Sequence, residues 1–331
     1  MKVIFKPLYF LLFPIYSIKD YPIMYRGKNF TLLYYGIFQA AGAMSFFVTS
    51  FYYLFLKGCQ ITPKMLFLSI AFPLLIWLGA KLFYYFVWWK YLIKNPKKYL
   101  FETGFSVHGA IIGGIIAGFL FSIICNIELL LVTDAIGIGA LICIFFGRLG
   151  CYNYGCCYGT PTSVPWAISY TNIDSKILRI NPNMKGVHIH PVQLYSAGLC
   201  LIAFITIICF LPSGSTNGII TAIFIIFHSL KRISLEKFRY DLYKGNERNK
   251  KTFYAALVFA CVGFLLMGTI IITQGKFNES FLVMQISLKT FYSLFQIYPN
   301  VIIFMVVSGI LAFIGYGIHG KVLGTFPLFN L

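Results

Sequence analysis

Acidic residues are scarce in this chain: 9 Asp and Glu stand against 27 Lys and Arg in 331 residues, and charged residues make up only 11% of it. A soluble domain carries about a quarter. With 59% hydrophobic residues, the composition excludes an ordinary soluble fold and requires an integral membrane protein. The net charge of +18 does not indicate nucleic acid, because the basic residues fall in short clusters between apolar stretches rather than on a soluble face. Membrane lipids with acidic headgroups are the expected partner. The nine cysteines form no disulfide framework, since most sit in or beside apolar segments, where a thiol packs as a small hydrophobe. Tandem repeats and low-complexity tracts are absent. The apolar run Leu8 to Ile15 lacks a small-residue cleavage site, which argues against a cleaved signal peptide.

Between Lys28 and Lys57 no charge occurs, enough chain to cross about 30 Å of hydrocarbon as a helix rising about 1.5 Å per residue. A second span runs from about Met65 to Trp89, interrupted by Lys81, and closes on the interfacial sequence Trp88-Trp89-Lys90. The third opens at His108 and reaches Cys125; rows of small residues at Gly109, Gly113 and Ala117 and at Ala110, Gly114 and Gly118 let another backbone approach. The fourth, Leu129 to Gly147, carries Asp134 one turn inside its start and ends on Arg148. From Gly186 to Leu230 no Asp, Glu, Lys or Arg appears, and the turn Pro212 to Gly218 divides this run into spans five and six. Thr252 to Gln274 supplies a seventh span and Val301 to Ile318 an eighth.

The expected fold is an all-α polytopic membrane protein of seven to eight transmembrane helices. A small head segment, residues 148–192, lies between spans four and five, where Pro161, Pro165 and Asn181-Pro182-Asn183 forbid crossing. Residues 1–29 form an N-terminal interfacial arm, 30–275 the main membrane domain, and 276–331 a C-terminal extension with one additional span. Nearly all Lys and Arg fall on the head side, which the positive-inside rule assigns to the cytoplasm.

Charges at the ends of apolar spans mark the candidate site. An arginine in the bilayer costs roughly 2.5–3.5 kcal/mol on insertion scales. Arg148, flanked by glycines, is therefore expected to bind an anion, and a lipid phosphate is the obvious one. Arg232 and Glu236 are four residues apart on one helix face, so the carboxylate fixes the guanidinium fork and leaves donors for phosphate. Lys231, Lys237 and Arg239 fit a solvated juxtamembrane face. His108, at a helix start where the dipole disfavours imidazolium, is a candidate proton acceptor. Gln193 and Tyr195, in the run His190-Pro191-Val192-Gln193-Leu194-Tyr195, add polar groups at the same interface. Cys151, Cys156 and Cys157 lack a partner Cys/His pair at zinc spacing, and adjacent cysteines seldom share one tetrahedral ion. No metal is expected; packing beneath the lipid site is favoured, and a reactive thiolate near Arg148 is the other reading.

These residues resemble the prolipoprotein diacylglyceryl transferase family of bacterial inner-membrane enzymes. The likeness covers roughly residues 30 to 272. It rests on Val107-His108-Gly109, on Asp134 followed by Gly147-Arg148-Leu149-Gly150, on Gly155 and Gly159, on His190-Pro191 with Gln193-Leu194-Tyr195, and on Arg232 with Glu236 and Arg239. Tyr35-Gly36 and Gly79 to Tyr84 add weaker support. The resemblance implies His108, Arg148 and Arg232 at positions needed for activity, and Tyr35, Glu236, Arg239, Gly159, Gln193 and Tyr195 near the substrate. It implies transfer of the diacylglyceryl group of phosphatidylglycerol to the lipobox cysteine of a preprolipoprotein signal peptide. Glycerol phosphate is released, and neither metal nor nucleotide is needed. It also places the head segment outside the cytoplasm, against the charge count.

The chain departs from the family pattern at several positions. Cys151 and Cys156 stand where the pattern carries asparagine and glutamate, Leu33 where it carries histidine, His228 where it carries tyrosine, and Lys81 where it carries arginine. Two alternatives stay open: a phospholipid-dependent transferase with another acceptor, and a non-catalytic lipid-binding or transport module on the same scaffold.

Overall fold

The computed structural model describes residues 18–87, 89–96, 100, 107–210, 216–240, 250–274, 288–320 and 323–324. Eight long helices occur among them: α1 Tyr34–Leu56, α2 Pro63–Val87, α3 Val107–Cys125, α4 Leu129–Tyr154, α5 Val192–Phe210, α6 Ile219–Glu236, α7 Lys250–Gln274 and α8 Asn300–Gly317. Six are long and apolar enough to cross a membrane; the apolar stretch Ile112–Cys125 of α3 is shorter, and α6 ends in Lys231, Arg232 and Glu236. The chain is thus a polytopic helical membrane protein.

The helix α4 stands at the centre: 44% of its apolar window is buried, against 22% for α2, α7 and α8. It packs on α1, α5 and α6, while α2 pairs with α3, α7 with α6, and α8 with α1. Lipid tails are as apolar as the side chains, so association between spans depends on close van der Waals fit rather than on expelling water. The small-residue rows of α3 supply that fit. A methyl group on Gly109 or Gly113 would overlap the α2 backbone at Gly79 and Leu75. Lys81 of α2 is 3% exposed, with its ammonium 5.3 and 5.0 Å from the ring centres of Tyr84 and Tyr85.

Asp134 joins α4 to the start of α6. Its side chain is wholly buried and accepts hydrogen bonds from the Gly218 and Thr221 amides, each at 2.7 Å, and from the Thr221 hydroxyl at 2.6 Å. The Tyr53 hydroxyl of α1 adds a longer one at 3.4 Å. A carboxylate here satisfies amides that the first turn of α6 leaves unpaired and complements the helix dipole.

A three-stranded antiparallel sheet, unforeseen in the sequence, lies at the head end. Strands β1 Ile23–Arg26 and β2 Phe30–Leu33 form a hairpin, and β3 Ile318–Gly320, directly after α8, pairs with β2 in the order β1-β2-β3. The C-terminal extension is therefore stitched to the strand that leads directly into α1. The head segment closes on its own core of Tyr152, Tyr158, Ile168, Tyr170, Ile177 and Ile189.

Candidate active site

The helix α4 does not stop at Gly147 but continues to Tyr154, ending at Gly155 in the left-handed conformation (φ 75°) with its amide bonded to the Cys151 carbonyl. Arg148 therefore lies almost two turns inside the helix, and the glycines around it serve packing rather than termination. A methyl on Gly150 would stand 3.0 Å from the Tyr35 ring, and one on Gly147 3.7 Å from the Gln39 amide. Tyr35 and Gln39 of α1 thus approach the arginine's own turn. Gln39 was not anticipated; an uncharged amide inside an apolar run gives a weak signal.

Beyond Gly155 the chain turns sharply. Cys157 has a φ of 56°, and the Cys156 amide returns to the Cys151 carbonyl at 3.1 Å. The sulfurs of Cys151, Cys156 and Cys157 all lie within 4.8 Å of one another. Gln193 fixes this turn: it is wholly buried and donates to the Cys156 carbonyl at 2.9 Å. Hydrogen bonds with the Cys151 and Cys156 thiols, backed by the charges of Arg148 and Arg239, hold the Cys157 thiol well below its ordinary range. Those same thiol contacts and burial push Cys156 upward.

The chain after the cysteines then pairs with the chain after α6. The Thr160 amide donates to the Phe238 carbonyl at 2.9 Å, the Tyr240 amide to the Tyr158 carbonyl at 3.2 Å, and Gly159 faces Arg239 across this short ladder. Gly159 has no room for a side chain, because a methyl there would meet His190 and Val192. Gly159 and Gln193, expected near substrate, are thus enclosed in the framework that sets the loop. Tyr195 accepts a hydrogen bond from the Trp166 indole at 2.6 Å and lies 3.3 Å from His190 Nδ1; burial keeps that imidazole below its ordinary pKa.

The last turns of α6 supply the remaining charges. Arg232 and Glu236 form the expected ion pair at 3.0 Å, with side chains 25% and 7% exposed; its alignment is ionic rather than that of a good hydrogen bond. Lys231 is only 6% exposed, so the expectation of a solvated lysine is corrected. Its ammonium donates to Cys200 Sγ of α5 at 2.9 Å. The Nδ1 atom of His228 is buried without a hydrogen-bond partner among the described residues. The side chain of His108 lies outside the described residues; its backbone opens α3, at the end of the bundle that holds Arg148.

Electrostatically, these groups form one set. Arg148 acts on Lys231, Arg232 and His228, and Arg239 acts on Arg232 and Cys157. Among the described residues, the carboxylate paired with this group of four cations is Glu236. So large a local excess of positive charge in a lipid-bordered site calls for an anion. Tyr35 lines the same place, with its ring 5.5 Å from Tyr154 and 6.4 Å from Tyr316 of α8. A groove of about 340 Å³, lined in part by Glu236, Lys237, Phe238 and Phe253, opens beside the end of α6.

A family model described as prolipoprotein diacylglyceryl transferase matches residues 22–274. Three relatives named phosphatidylglycerol–prolipoprotein diacylglyceryl transferase show the extent of the likeness. That of Clostridium tetani is 28% identical over 204 residues, covering 61% of this chain and 77% of that protein. That of Tropheryma whipplei is 26% identical over 257 residues, covering 74% and 91%. That of Clostridioides difficile is 26% identical over 213 residues, covering 63% and 79%. The family match ends before α8 and β3, so Tyr316 and His319 come from a segment beyond it.

Proposed function

The chain belongs to the prolipoprotein diacylglyceryl transferase family, and from that premise we propose that it moves the diacylglyceryl group of phosphatidylglycerol onto the lipobox cysteine thiol of a preprolipoprotein, releasing glycerol phosphate. The observation that carries this reading is the convergence of Arg148, Lys231, Arg232 and Arg239 on one partly buried site beside Glu236. A phosphodiester is an anion that the guanidinium forks of Arg148 and Arg232 can both grip.

In this reading Arg148 and Arg232 hold the phosphate and stabilise the charge that grows on the leaving oxygen as the C–O bond breaks. Such preorganised donors act most strongly where water is excluded. Glu236 sets the Arg232 fork. Tyr35 hydrogen-bonds the headgroup, and His108 accepts the acceptor's thiol proton or orients the donor. Gln193, Gly159 and the Phe238–Tyr240 ladder position the cysteine turn. The groove beside Phe253 gives an acyl chain a path from the bilayer. The site is proposed to lie in the bacterial inner membrane with its head segment outside the cytoplasm. A cysteine placed at exposed Lys185 tests the orientation, since labelling only after the membrane is opened would reverse it.

A transferase with another acceptor is favoured by one observation: the departures Cys151 and Cys156 fall together, at the end of α4. The deciding assay follows glycerol phosphate released from labelled phosphatidylglycerol, with and without a lipobox peptide. Arg148→Ala is expected to abolish release in a protein that still inserts and folds. Wild-type turnover in that variant would remove the phosphate site. Release that requires a different acceptor would select the second reading, and no release under any acceptor would leave a lipid-binding module.

A further inference from the structure

We propose that Cys151, Cys156 and Cys157 form a three-thiolate site for a soft divalent ion of the zinc type, whose open fourth position takes the acceptor thiol. This deepens the transferase reading and rests on it. The three sulfurs lie within 4.8 Å of one another. Ligands at a zinc–sulfur distance of about 2.3 Å stand about 4 Å apart, so only a small inward movement completes three bonds. Consecutive cysteines usually diverge and so make poor co-ligands. Here the left-handed backbone at Cys157 (φ 56°) and the helix-ending Gly155 (φ 75°) turn both side chains toward Cys151, on the last turn of α4.

The surroundings fit such an ion. The turn is braced by wholly buried Gln193, which donates to the Cys156 carbonyl at 2.9 Å, and a braced outer shell holds ligands in position. Three thiolates and a divalent ion sum to a single negative charge. Arg148 faces all three sulfurs electrostatically and Arg239 faces Cys157, so the charge of the filled site is balanced within the protein. Three protein ligands with a vacant position are also the arrangement of a catalytic rather than a structural zinc site.

The chemistry follows directly. An acceptor S–H that takes the fourth position gives its proton to water at the head-side mouth, which leaves His108 the donor-orienting one of its two roles, and the ion keeps the sulfur as a thiolate. That sulfur's electron pair forms the new C–S bond at the glyceryl carbon while the C–O bond breaks. The pair from that bond leaves with glycerol phosphate, held by Arg148 and Arg232. The product is a neutral thioether, a weaker ligand than a thiolate, and it departs.

The test uses the full chain purified in detergent and titrated with Co²⁺, whose thiolate complexes absorb in the near ultraviolet, followed by displacement with Zn²⁺. One ion per chain is expected, with the thiolate band lost in Cys157→Ser and in Cys156→Ser and retained in the exposed-cysteine control Cys261→Ser. Adding N-acetylcysteine methyl ester is expected to shift the band as a fourth sulfur binds. Absence of stoichiometric binding, binding that survives both serine variants, or a band unmoved by the added thiol would overturn the proposal. Full glycerol phosphate release by metal-stripped protein would also overturn it while leaving the transferase reading intact. A filled site without any release from phosphatidylglycerol would do the reverse.

Discussion

Gly36 of α1 and Gly317 of α8 meet backbone to backbone, with Tyr35 and Tyr316 in ring contact one residue away at 6.4 Å. A methyl on Gly36 would overlap the Gly317 Cα and press on Phe313. The extension thereby supplies part of the wall behind the Arg148 turn, because Tyr35 also packs over Gly150. Gly36→Ala should push α8 away and cost about 1–3 kcal/mol as an overpacked contact does. The thermal midpoint in detergent should fall, and transfer should fall with it as Tyr35 loses its backing. An unchanged midpoint would mean that α8 is a passive appendage.

Asp134 gives a stability prediction remote from the chemistry. Its two oxygens accept from two amides and a hydroxyl at 2.6–2.7 Å. Asp134→Asn replaces one acceptor with a donor facing an N–H or O–H group. Hydrogen bonds to charged groups contribute about 1.5–3 kcal/mol each, so the midpoint should drop markedly. Thr221→Val, which keeps the amide contact and removes the hydroxyl, should cause a smaller loss. The KM for phosphatidylglycerol in the surviving folded fraction should stay near wild type, since Asp134 serves the start of α6 and the cations occupy its end.

Much of the fold is legible because long charge-free runs leave a membrane chain few options. The interval between Lys28 and Lys57 holds α1, which ends at Leu56 but begins only at Tyr34 because Phe30–Leu33 pair as β2, and the four-residue spacing of Arg232 and Glu236 becomes an ion pair. Other features are hidden for physical reasons. Gly147 and Gly150 look like helix breakers, yet they are the bare surface on which Tyr35 and Gln39 rest; the helix is stopped instead by Gly155. The pairing of β2 with β3 joins residues almost 300 positions apart, and local pattern holds no trace of it. Lys231 follows His228-Ser229-Leu230 at the end of an apolar run, and nothing in those neighbours tells a buried lysine from a solvated one.

Lys231 yields the prediction that the sequence alone would have missed. The ammonium is buried against Cys200 at 2.9 Å and feels both Arg148 and Arg232. On the proposed reading, a third cation so close to two guanidiniums would add to the hold on an anionic headgroup. Lys231→Met keeps the length and removes the charge, and the KM for phosphatidylglycerol should rise roughly tenfold, the equivalent of about 1.4 kcal/mol. Steady-state release of glycerol phosphate measures it. A KM that does not move would assign Lys231 to packing against α5 alone.

His319 makes the docking of the C-terminal strand sensitive to acid. Its imidazole is 7% exposed, meets the Tyr154 ring edge-on at 5.9 Å, and accepts a hydrogen bond from the Gly324 amide at 3.2 Å. Burial, reinforced by the charges of Arg179 and Lys176, lowers its pKa from 6.5 to about 4. The folded state therefore holds it neutral while the undocked strand binds a proton near pH 6.5. The contribution is complete above about pH 6.5 and is lost as pH falls toward 4, at up to about 1.4 kcal/mol per pH unit. Hydrogen exchange at the β2–β3 amides, compared at pH 7 and pH 5 after correction for intrinsic rates, should show opening at the lower pH. His319→Gln cannot take up the proton and should flatten that dependence. Equal pH sensitivity in the variant would place the acid response elsewhere.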